Sequence, residues 1–249
     1  MGIVKIKQEL DIIKKMKAVI LAGGLGTRIS EETYLKPKPM IEIGGKPILW
    51  HIMKRYSMYG INDFIICSGH LGHVIEDYFK KNHEDWKVDV VDTGENTMTG
   101  GRLKRVKKYI ENETFCFTYG DSLNNANISN IIKFHKDKAR MATVTACHPP
   151  EKYGILKLEN DMVINFEEKP KRNDEWVNAG YFILEPQVIE LIKEDYTVWE
   201  KEPMKQLVSI NQLSAFKHEG FYKSMDTISD KNYLEKLWIS NNAEWKNWE

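Results

Sequence analysis

Short apolar runs alternate with amphipathic segments along most of the chain. Residues 17–22 are apolar at nearly every position, which predicts a strand that is buried on both of its faces. Pro47 is predicted to open a helix, because proline suits the first helical position and the apolar residues after it share one helix face. Those apolar residues are Leu49, Ile52, Met53 and Tyr56, and Gly60 ends the helix.

The same two patterns continue as far as about residue 147. We predict strands over residues 64–67, 88–91, 114–119 and 142–147, and helices over residues 71–79, 103–110 and 128–138. Strands that alternate with helices at this spacing are typical of a mostly parallel sheet with helices on both faces. The sequence therefore predicts an α/β fold.

The pattern changes after about residue 150. Residues 153–158 and 162–166 have the pattern of a hairpin, residues 178–184 that of a further strand, and residues 227–238 that of a closing helix. We expect this half to add antiparallel strands to the same sheet rather than to fold alone. Residues 1–15 are interpreted as an N-terminal extension and residues 16–249 as a single domain.

Composition narrows the range of partners. Of the 249 residues, 42% are hydrophobic, which is enough for a packed core, and 36 basic residues balance 36 acidic ones. A chain with no net charge has no global positive field, so neither a nucleic acid nor a membrane surface is an expected partner. Small charged ligands can still be held locally.

The three cysteines, Cys67, Cys116 and Cys147, lie in or beside apolar runs and far apart in sequence. This placement favours reduced thiols in the core. Residues 1–15 lack the uninterrupted apolar core of a signal peptide, and no apolar stretch is long enough to span a bilayer. We therefore predict a cytoplasmic protein.

A glycine-rich segment, Leu21-Ala-Gly-Gly-Leu-Gly-Thr-Arg28, directly follows the first predicted strand. Ile29 stands where the dinucleotide fingerprint requires a third glycine, so an NAD-dependent oxidoreductase is the weakest alternative. A Walker A loop is excluded because no Gly-Lys-Ser/Thr follows. A turn of this kind brings backbone N–H groups close to phosphates, and Arg28 adds positive charge.

Lys38 lies between Pro37 and Pro39, shortly after this turn. The two prolines restrict the backbone, which keeps the lysine ammonium within a fixed reach of the glycine-rich segment. Lysine supplies a compact point charge for a phosphate. Together the two segments predict a phosphate-binding site.

Four further motifs follow in order along the chain: Met98-Thr-Gly-Gly-Arg-Leu-Lys-Arg105, Phe117-Thr-Tyr-Gly-Asp121, Phe166-Glu-Glu-Lys-Pro170 and Met225-Asp-Thr227. With them, the chain resembles the sugar-phosphate nucleotidyltransferases, and within that family the cytidylyltransferases that act on glucose 1-phosphate. The resemblance implies a Rossmann-like nucleotidyltransferase fold. In it, residues from about 16 to 150 bind the nucleotide and residues from about 151 to 249 bind the acceptor.

The resemblance also implies roles for individual residues. At the nucleotide it places Leu21, Ala22, Gly23, Gly24, Gly26, Thr27, Arg28, Lys38, Thr97, Arg102 and Gly120. Arg28 and Lys38 are the implied catalytic cations, and Asp121 and Asp226 the implied ligands of Mg²⁺, which accepts two carboxylates with water and phosphate oxygens. At the acceptor it places Lys169, Glu168 and Asn178.

The implied substrates are CTP and a phosphorylated small-molecule acceptor. Departures from the pattern of the glucose-specific enzymes leave the acceptor open: a short link between Phe79 and Asp92, Ser122 after Asp121, and Ala179 before Gly180. Another sugar phosphate, phosphocholine or L-glutamine phosphate is therefore an alternative to glucose 1-phosphate. A non-catalytic nucleotide sensor is an alternative of another class. We also expect a homo-oligomer.

Overall fold

A seven-stranded mixed sheet lies at the centre of the computed structural model, which describes residues 13–26, 29, 34–149, 155–167 and 175–249. In their order across the sheet, the strands are β12 (Leu213–His218), β8 (Ala142–Cys147), β11 (Val177–Leu184), β6 (Phe115–Tyr119), β1 (Lys17–Leu21), β4 (Asp63–Ser68) and β5 (Lys87–Asp92). Within this described sheet, β11 runs antiparallel to both of its neighbours and the other pairs are parallel. The predicted α/β class is confirmed.

Helices and three short two-stranded sheets complete the described part of the fold. The helices are α1 (Ile48–Ser57), α2 (Gly72–Lys81), α3 (Thr99–Arg105), α4 (Lys107–Ile110), α5 (Ile128–Lys138), α6 (Glu202–Ser209) and α7 (Ile228–Ile239). The small sheets pair β2 (Glu42–Ile43) with β3 (Lys46–Pro47), β7 (Ser122–Asn124) with β13 (Tyr222–Ser224), and β9 (Ile155–Glu159) with β10 (Met162–Glu167). Among the helices of the described ranges, none combines the length and the apolar composition needed to cross a bilayer.

Strand β1 shows why the sheet is covered on both faces. Ala18 and Ile20 pack into one buried cluster, with side chains of α1, α5 and α7. Val19 and Leu21, which point to the opposite face, pack into a second cluster with side chains of α3 and α6. A continuous apolar run is therefore needed here, as the sequence pattern predicted.

The second half of the chain joins this sheet in part. Strand β11 inserts between β6 and β8, which confirms the predicted antiparallel addition. The hairpin of β9 and β10 forms a sheet of its own, and every residue of β10 is exposed, so the expectation that it extends the main sheet is wrong. Strand β12 was not predicted, because as an edge strand it is only partly buried and has no continuous apolar run.

Two boundaries differ from the sequence-based expectation. The predicted helix over 103–110 begins at Thr99 and is divided at Val106 into α3 and α4. Ile13, within the predicted N-terminal extension, is 6% exposed and packs in the core beside Met16. The cysteines are buried without a disulfide, and burial raises the pKa of the Cys67 thiol to about 12, so the prediction of reduced core thiols is confirmed.

Helix α1 carries two buried polar side chains, Arg55 and His51, whose hydrogen bonds hold the C-terminal region against the core. The Arg55 guanidinium donates hydrogen bonds to the carbonyls of Trp245 (3.0 Å) and Ala126 (2.6 Å). His51 Nε2 lies 2.8 Å from the carbonyl of Ile43, and the Trp245 indole donates to His51 Nδ1 over 3.4 Å. Burial lowers the pKa of His51 to about 4, so the imidazole stays neutral at pH 7.

We expect His51 to make the fold sensitive to acid. Its pKa is lower in the folded protein than in the unfolded chain, so it stabilises the fold above about pH 6.5 and this contribution is lost as the pH falls towards 4. Between pH 7 and pH 4, the wild type should lose on the order of 3 kcal/mol more unfolding free energy than His51→Gln. Urea denaturation at both pH values measures the difference. The exposed His73→Gln serves as control and should follow the wild type, and equal losses in His51→Gln would contradict the assignment.

Candidate active site

A cavity of about 890 Å³ opens where the parallel strands end. Its wall is formed by the segment after β1, the 3₁₀ turn Lys38–Met40, the segment before α3, the end of β6, and single residues from further along the chain. Lining residues that the sequence predicted are Leu21, Ala22, Gly23, Gly24, Gly26, Lys38, Thr97, Arg102, Gly120, Asp121 and Asp226. The sheet edge therefore gathers the predicted nucleotide and metal residues that the structure describes.

Arg102 connects the ends of three strands beneath the cavity. Its Nη1 donates to the carbonyl of Ser68 (2.9 Å) and to Thr93 Oγ1 (2.8 Å), and its Nη2 donates to the carbonyls of Gly23 (2.8 Å) and Glu95 (3.1 Å). The hydrogens of both terminal nitrogens are thus committed to protein acceptors. In this structure Arg102 positions the glycine-rich segment, and its predicted contact with the nucleotide stays a prediction.

The glycines of the Thr-Gly-Gly-Arg motif allow α3 to lie against the chain near residue 197. A Cβ on Gly100 would lie 2.7 Å from the Thr197 carbonyl, and a Cβ on Gly101 would lie 2.2 Å from the Asp195 carbonyl. Contacts that short exclude a side chain. Thr99 adds to this packing, because its Oγ1 accepts a hydrogen bond from the Trp199 amide (2.9 Å). The two glycines therefore set the positions of Thr97 and Arg102 on either side of them.

Asp121 and Asp226 come together although they are far apart in sequence. Strand β13 pairs antiparallel with β7, and the amide of Met225 donates to the carbonyl of Asp121 over 2.9 Å. Asp121 itself follows Gly120, whose amide donates to the carbonyl of Leu21 (2.9 Å) and so fixes this turn to the end of β1. Backbone pairing alone places both carboxylates at the same end of the cavity.

Lys38 lies between these two carboxylates. Its Nζ is 2.7 Å from Asp121 Oδ2 and 2.8 Å from Asp226 Oδ1, and its side chain is 12% exposed. Burial acts to lower the pKa of Lys38, but the charges and hydrogen bonds of Asp121 and Asp226 outweigh it and the pKa is raised. The sequence predicted Lys38 at the phosphates, and the structure adds two carboxylate partners for it.

A second set of hydrogen bonds, from residues other than Lys38, orients Asp226. Ser224 Oγ donates to Asp226 Oδ2 (2.7 Å), and the Asp226 amide donates to Asp230 Oδ2 (3.1 Å). Asp230 also closes a capping box with Thr227 at the start of α7. The carboxylate of Asp226 is therefore held by a rigid strand end and helix start.

The chemistry of this donor set fits a divalent cation. Two carboxylates already direct one oxygen each at a single positive centre, and Mg²⁺ is commonly held by one or two carboxylates with water and phosphate oxygens. Over the described ranges, no group of three or more histidine, cysteine, aspartate and glutamate side chains could hold a metal ion. A metal at Asp121 and Asp226 would take its remaining ligands from water and substrate.

Sequence reasoning missed one polar residue of the cavity wall, Glu200. Glu200 accepts hydrogen bonds from Thr99 Oγ1 (2.8 Å) and from the Tyr119 hydroxyl, and both Glu200 and Tyr119 line the cavity. Burial and the Glu200 carboxylate raise the pKa of Tyr119, whose hydroxyl also interacts with the side chain of Asn178. Tyr119 belongs to the Phe117-Thr-Tyr-Gly-Asp121 motif, whereas no local sequence pattern marks Glu200.

Four predicted site residues, Thr27, Arg28, Glu168 and Lys169, lie outside the described residues. Asn178 is described: it is exposed, and its Oδ1 accepts a hydrogen bond from the Gly180 amide (2.7 Å). Through Tyr119 it reaches the cavity wall, although it does not line the cavity itself. A second cavity of about 410 Å³, beside α2 and β5, is lined by none of the described site residues.

Comparison with known proteins shows which family and which proteins this chain resembles. Residues 17–246 match the family described as "Nucleotidyl transferase". A glucose-1-phosphate cytidylyltransferase of Salmonella typhi is 51% identical over 257 residues, which cover 94% of this chain and 100% of that protein. A probable glucose-1-phosphate cytidylyltransferase of Bacillus subtilis is 40% identical over 255 residues, with the same two coverages.

A solved structure shares the fold at low sequence identity. A putative glucose-1-phosphate thymidylyltransferase from Bacillus anthracis superimposes with a TM-score of 0.73 at 20% identity. The match covers 94% of this chain and 97% of that one. The Rossmann-like nucleotidyltransferase fold that the sequence predicted is thereby confirmed.

Gly23 and Gly24 offer a test of the role of Arg102. A Cβ on Gly23 would lie 2.0 Å from Arg102 Nη1 and 2.8 Å from the Ser68 carbonyl, whereas a Cβ on Gly24 meets nothing within 4 Å. Because charged hydrogen bonds contribute about 1.5–3 kcal/mol each, Gly23→Ala should lower the unfolding free energy by roughly 2 kcal/mol or more. Gly24→Ala is the matched control and should stay within about 0.5 kcal/mol of the wild type. Equal stabilities in urea denaturation would show that Arg102 does not depend on this glycine.

Proposed function

Because this chain belongs to the nucleotidyl transferase family, we propose that it transfers the cytidylyl group of CTP to glucose 1-phosphate, giving CDP-glucose and pyrophosphate. The observation that carries the proposal is the 51% identity to a glucose-1-phosphate cytidylyltransferase over that protein's whole length. The geometry of the cavity supports it, since glycine backbone, a lysine and two carboxylates converge there.

The proposed reaction is a displacement at phosphorus. A phosphate oxygen of glucose 1-phosphate forms a bond to the α-phosphorus of CTP, the bond from that phosphorus to the bridging oxygen of the β-phosphate breaks, and pyrophosphate leaves with the electron pair. The attacking oxygen is already an anion near neutral pH, because the second pKa of a phosphate ester is about 6. The site therefore needs no general base.

The protein's task is to hold two polyanions in line against their repulsion. The glycine-rich segment after β1 can approach the triphosphate through its backbone amides, since Gly24 has open space in front of it. Lys38 lines the same cavity and supplies a positive charge, and Arg28 is proposed to supply a second. Cations at the phosphates lower the barrier by stabilising the charge that develops in the transition state.

Asp121 and Asp226 are the proposed ligands of Mg²⁺, with one oxygen of each already directed at a shared position. When bound there, the metal would neutralise charge on the phosphates as it builds up. Ser224 holds the Asp226 carboxylate in place, and the Met225 amide fixes the backbone of Asp121.

The acceptor side of the proposal rests on fewer described residues. Lys169 is proposed to meet the acceptor phosphate, and Glu168 and Asn178 its hydroxyls. Asn178 interacts with Tyr119, which lines the cavity, and this supports an acceptor site next to that wall. Ala179 follows Asn178 and is fully buried, so this departure from the glucose pattern does not itself face a ligand.

The proposal also covers two properties of the whole protein, its self-association and its location in the cell. We infer self-association, which the exposed apolar side chains Met162, Val163, Ile164 and Phe166 on the β9–β10 hairpin support, since apolar patches of this kind mark interaction surfaces. We infer a cytoplasmic location, which the reduced buried cysteines support.

Pyrophosphate release with a panel of nucleotides and acceptors tests the function. We expect CTP with glucose 1-phosphate to give the highest kcat/KM, and UTP to be the nearest competitor because it shares the size of a pyrimidine. Equal turnover with dTTP and CTP would contradict the cytidylyl assignment. Higher turnover with phosphocholine, L-glutamine phosphate or another sugar phosphate would identify that compound as the acceptor in place of glucose 1-phosphate. If CTP stabilised the protein against unfolding but no pyrophosphate formed, a nucleotide sensor would be favoured.

Substituting the two carboxylates tests the metal assignment. Asp121→Asn and Asp226→Asn keep the size of the side chain but remove a negative charge, so each should lower kcat by about 100-fold or more at saturating Mg²⁺. The exposed Asp85→Asn makes the same chemical change away from the cavity and should keep wild-type activity. Near-normal turnover in either site variant would rule out that residue as an essential ligand.

A further inference from the structure

Lys38 occupies the position towards which Asp121 and Asp226 converge. The same two oxygens that would coordinate a metal, Asp121 Oδ2 and Asp226 Oδ1, are the ones within 2.7 and 2.8 Å of its ammonium group. A divalent cation placed between the two carboxylates would take the same oxygens as its negative partners. The ammonium group and the metal cannot both sit between the carboxylates.

We propose that Lys38 acts as an internal counter-ion that competes with the divalent metal for Asp121 and Asp226, and that it leaves the carboxylates when the metal binds. The proposal rests on the proposed function, because it takes the metal ligands from there. It assigns Lys38 two successive partners: the carboxylates before metal binding and the substrate phosphates after it. Lys38 is then a positioning residue for the metal site as well as a cation for the reaction.

Electrostatics explains why a counter-ion is needed here. The side chains of Asp121 and Asp226 are 30% and 33% exposed, so neither is fully solvated, and two such carboxylates side by side repel each other. A positive charge between them offsets that repulsion and keeps the two carboxylates correctly spaced. The pair is thereby ready to accept a metal without rearranging its backbone.

The local structure allows the side chain of Lys38 to move while its surroundings stay fixed. Lys38 begins a short 3₁₀ turn between Pro37 and Pro39, and the Met40 amide donates to the Pro37 carbonyl over 2.8 Å. Its backbone is therefore restricted, but its four-carbon stem can rotate. Asp226 keeps its bond from Ser224, so the carboxylate does not follow the departing ammonium.

Binding of Mn²⁺ to the protein without any nucleotide tests the competition directly. Mn²⁺ favours oxygen ligands as Mg²⁺ does, and its electron paramagnetic resonance signal reports the free ion. Lys38→Met removes the competing charge and should tighten Mn²⁺ binding on the order of tenfold, since an ion pair of about 1.4 kcal/mol no longer has to be broken. A lysine that served only the substrate phosphates would give no change in this experiment.

A matched control separates competition from a general charge effect. Lys36 lies two residues away, is 3.6 Å from Glu42 and is more exposed, so Lys36→Met makes the same charge change outside the carboxylate pair. It should bind Mn²⁺ like the wild type. Adding Asp121→Asn to Lys38→Met should abolish the gain. Unchanged or weaker binding in Lys38→Met, or an equal gain in Lys36→Met, would overturn the proposal.

A crystal structure of the wild type with Mn²⁺ provides a second measurement, which does not depend on whether a variant folds. We expect the metal to lie between Asp121 and Asp226 and the Lys38 ammonium to be beyond hydrogen-bond distance of both. Mn²⁺ bound there with both lysine contacts intact would overturn the competition. Neither measurement depends on turnover, so wild-type pyrophosphate release would still support the proposed function if the competition failed.

Discussion

The buried guanidinium of Arg102 is the interaction on which the cavity depends. It joins the carbonyls of Gly23 and Ser68 to Thr93, and so ties together the segments at the ends of three neighbouring strands. Each acceptor is a neutral group that would lose a charged hydrogen-bond donor if the arginine were absent, and a hydrogen bond to a charged group contributes about 1.5–3 kcal/mol. The shape of this side of the cavity therefore follows from one side chain supplied by α3.

The other side of the cavity depends on backbone pairing instead. Strand β13 returns from the second half of the chain to pair with β7, and this brings Asp226 to Asp121. Lys38 then balances the charge that the pairing concentrates. Two chemically different devices, a buried arginine and a strand pair, thus hold the two sides of one cavity in place.

The sequence predicted most of the central sheet but only part of the site. The run over residues 17–22 was decisive because a strand buried on both faces leaves a continuous apolar signal, whereas β12 is half exposed and leaves none. Gly23, Gly24 and Lys38 were found because local chemistry marks them. Asp226 required the family resemblance, and Glu200 escaped notice, because each acquires its role from tertiary contacts that local spacing does not encode.

The fastening of Trp245 to α1 has a consequence for how the protein is made. Trp245 is fully buried in the same core cluster as Ile20 and Phe64, yet it follows every strand of the central sheet in sequence. During synthesis the ribosome therefore exposes the apolar face of α1 long before its cover exists. A nascent chain of this protein passes through a stage in which its first strands are complete and one face of the sheet is still uncovered, and that stage is where chaperone binding or aggregation competes with folding.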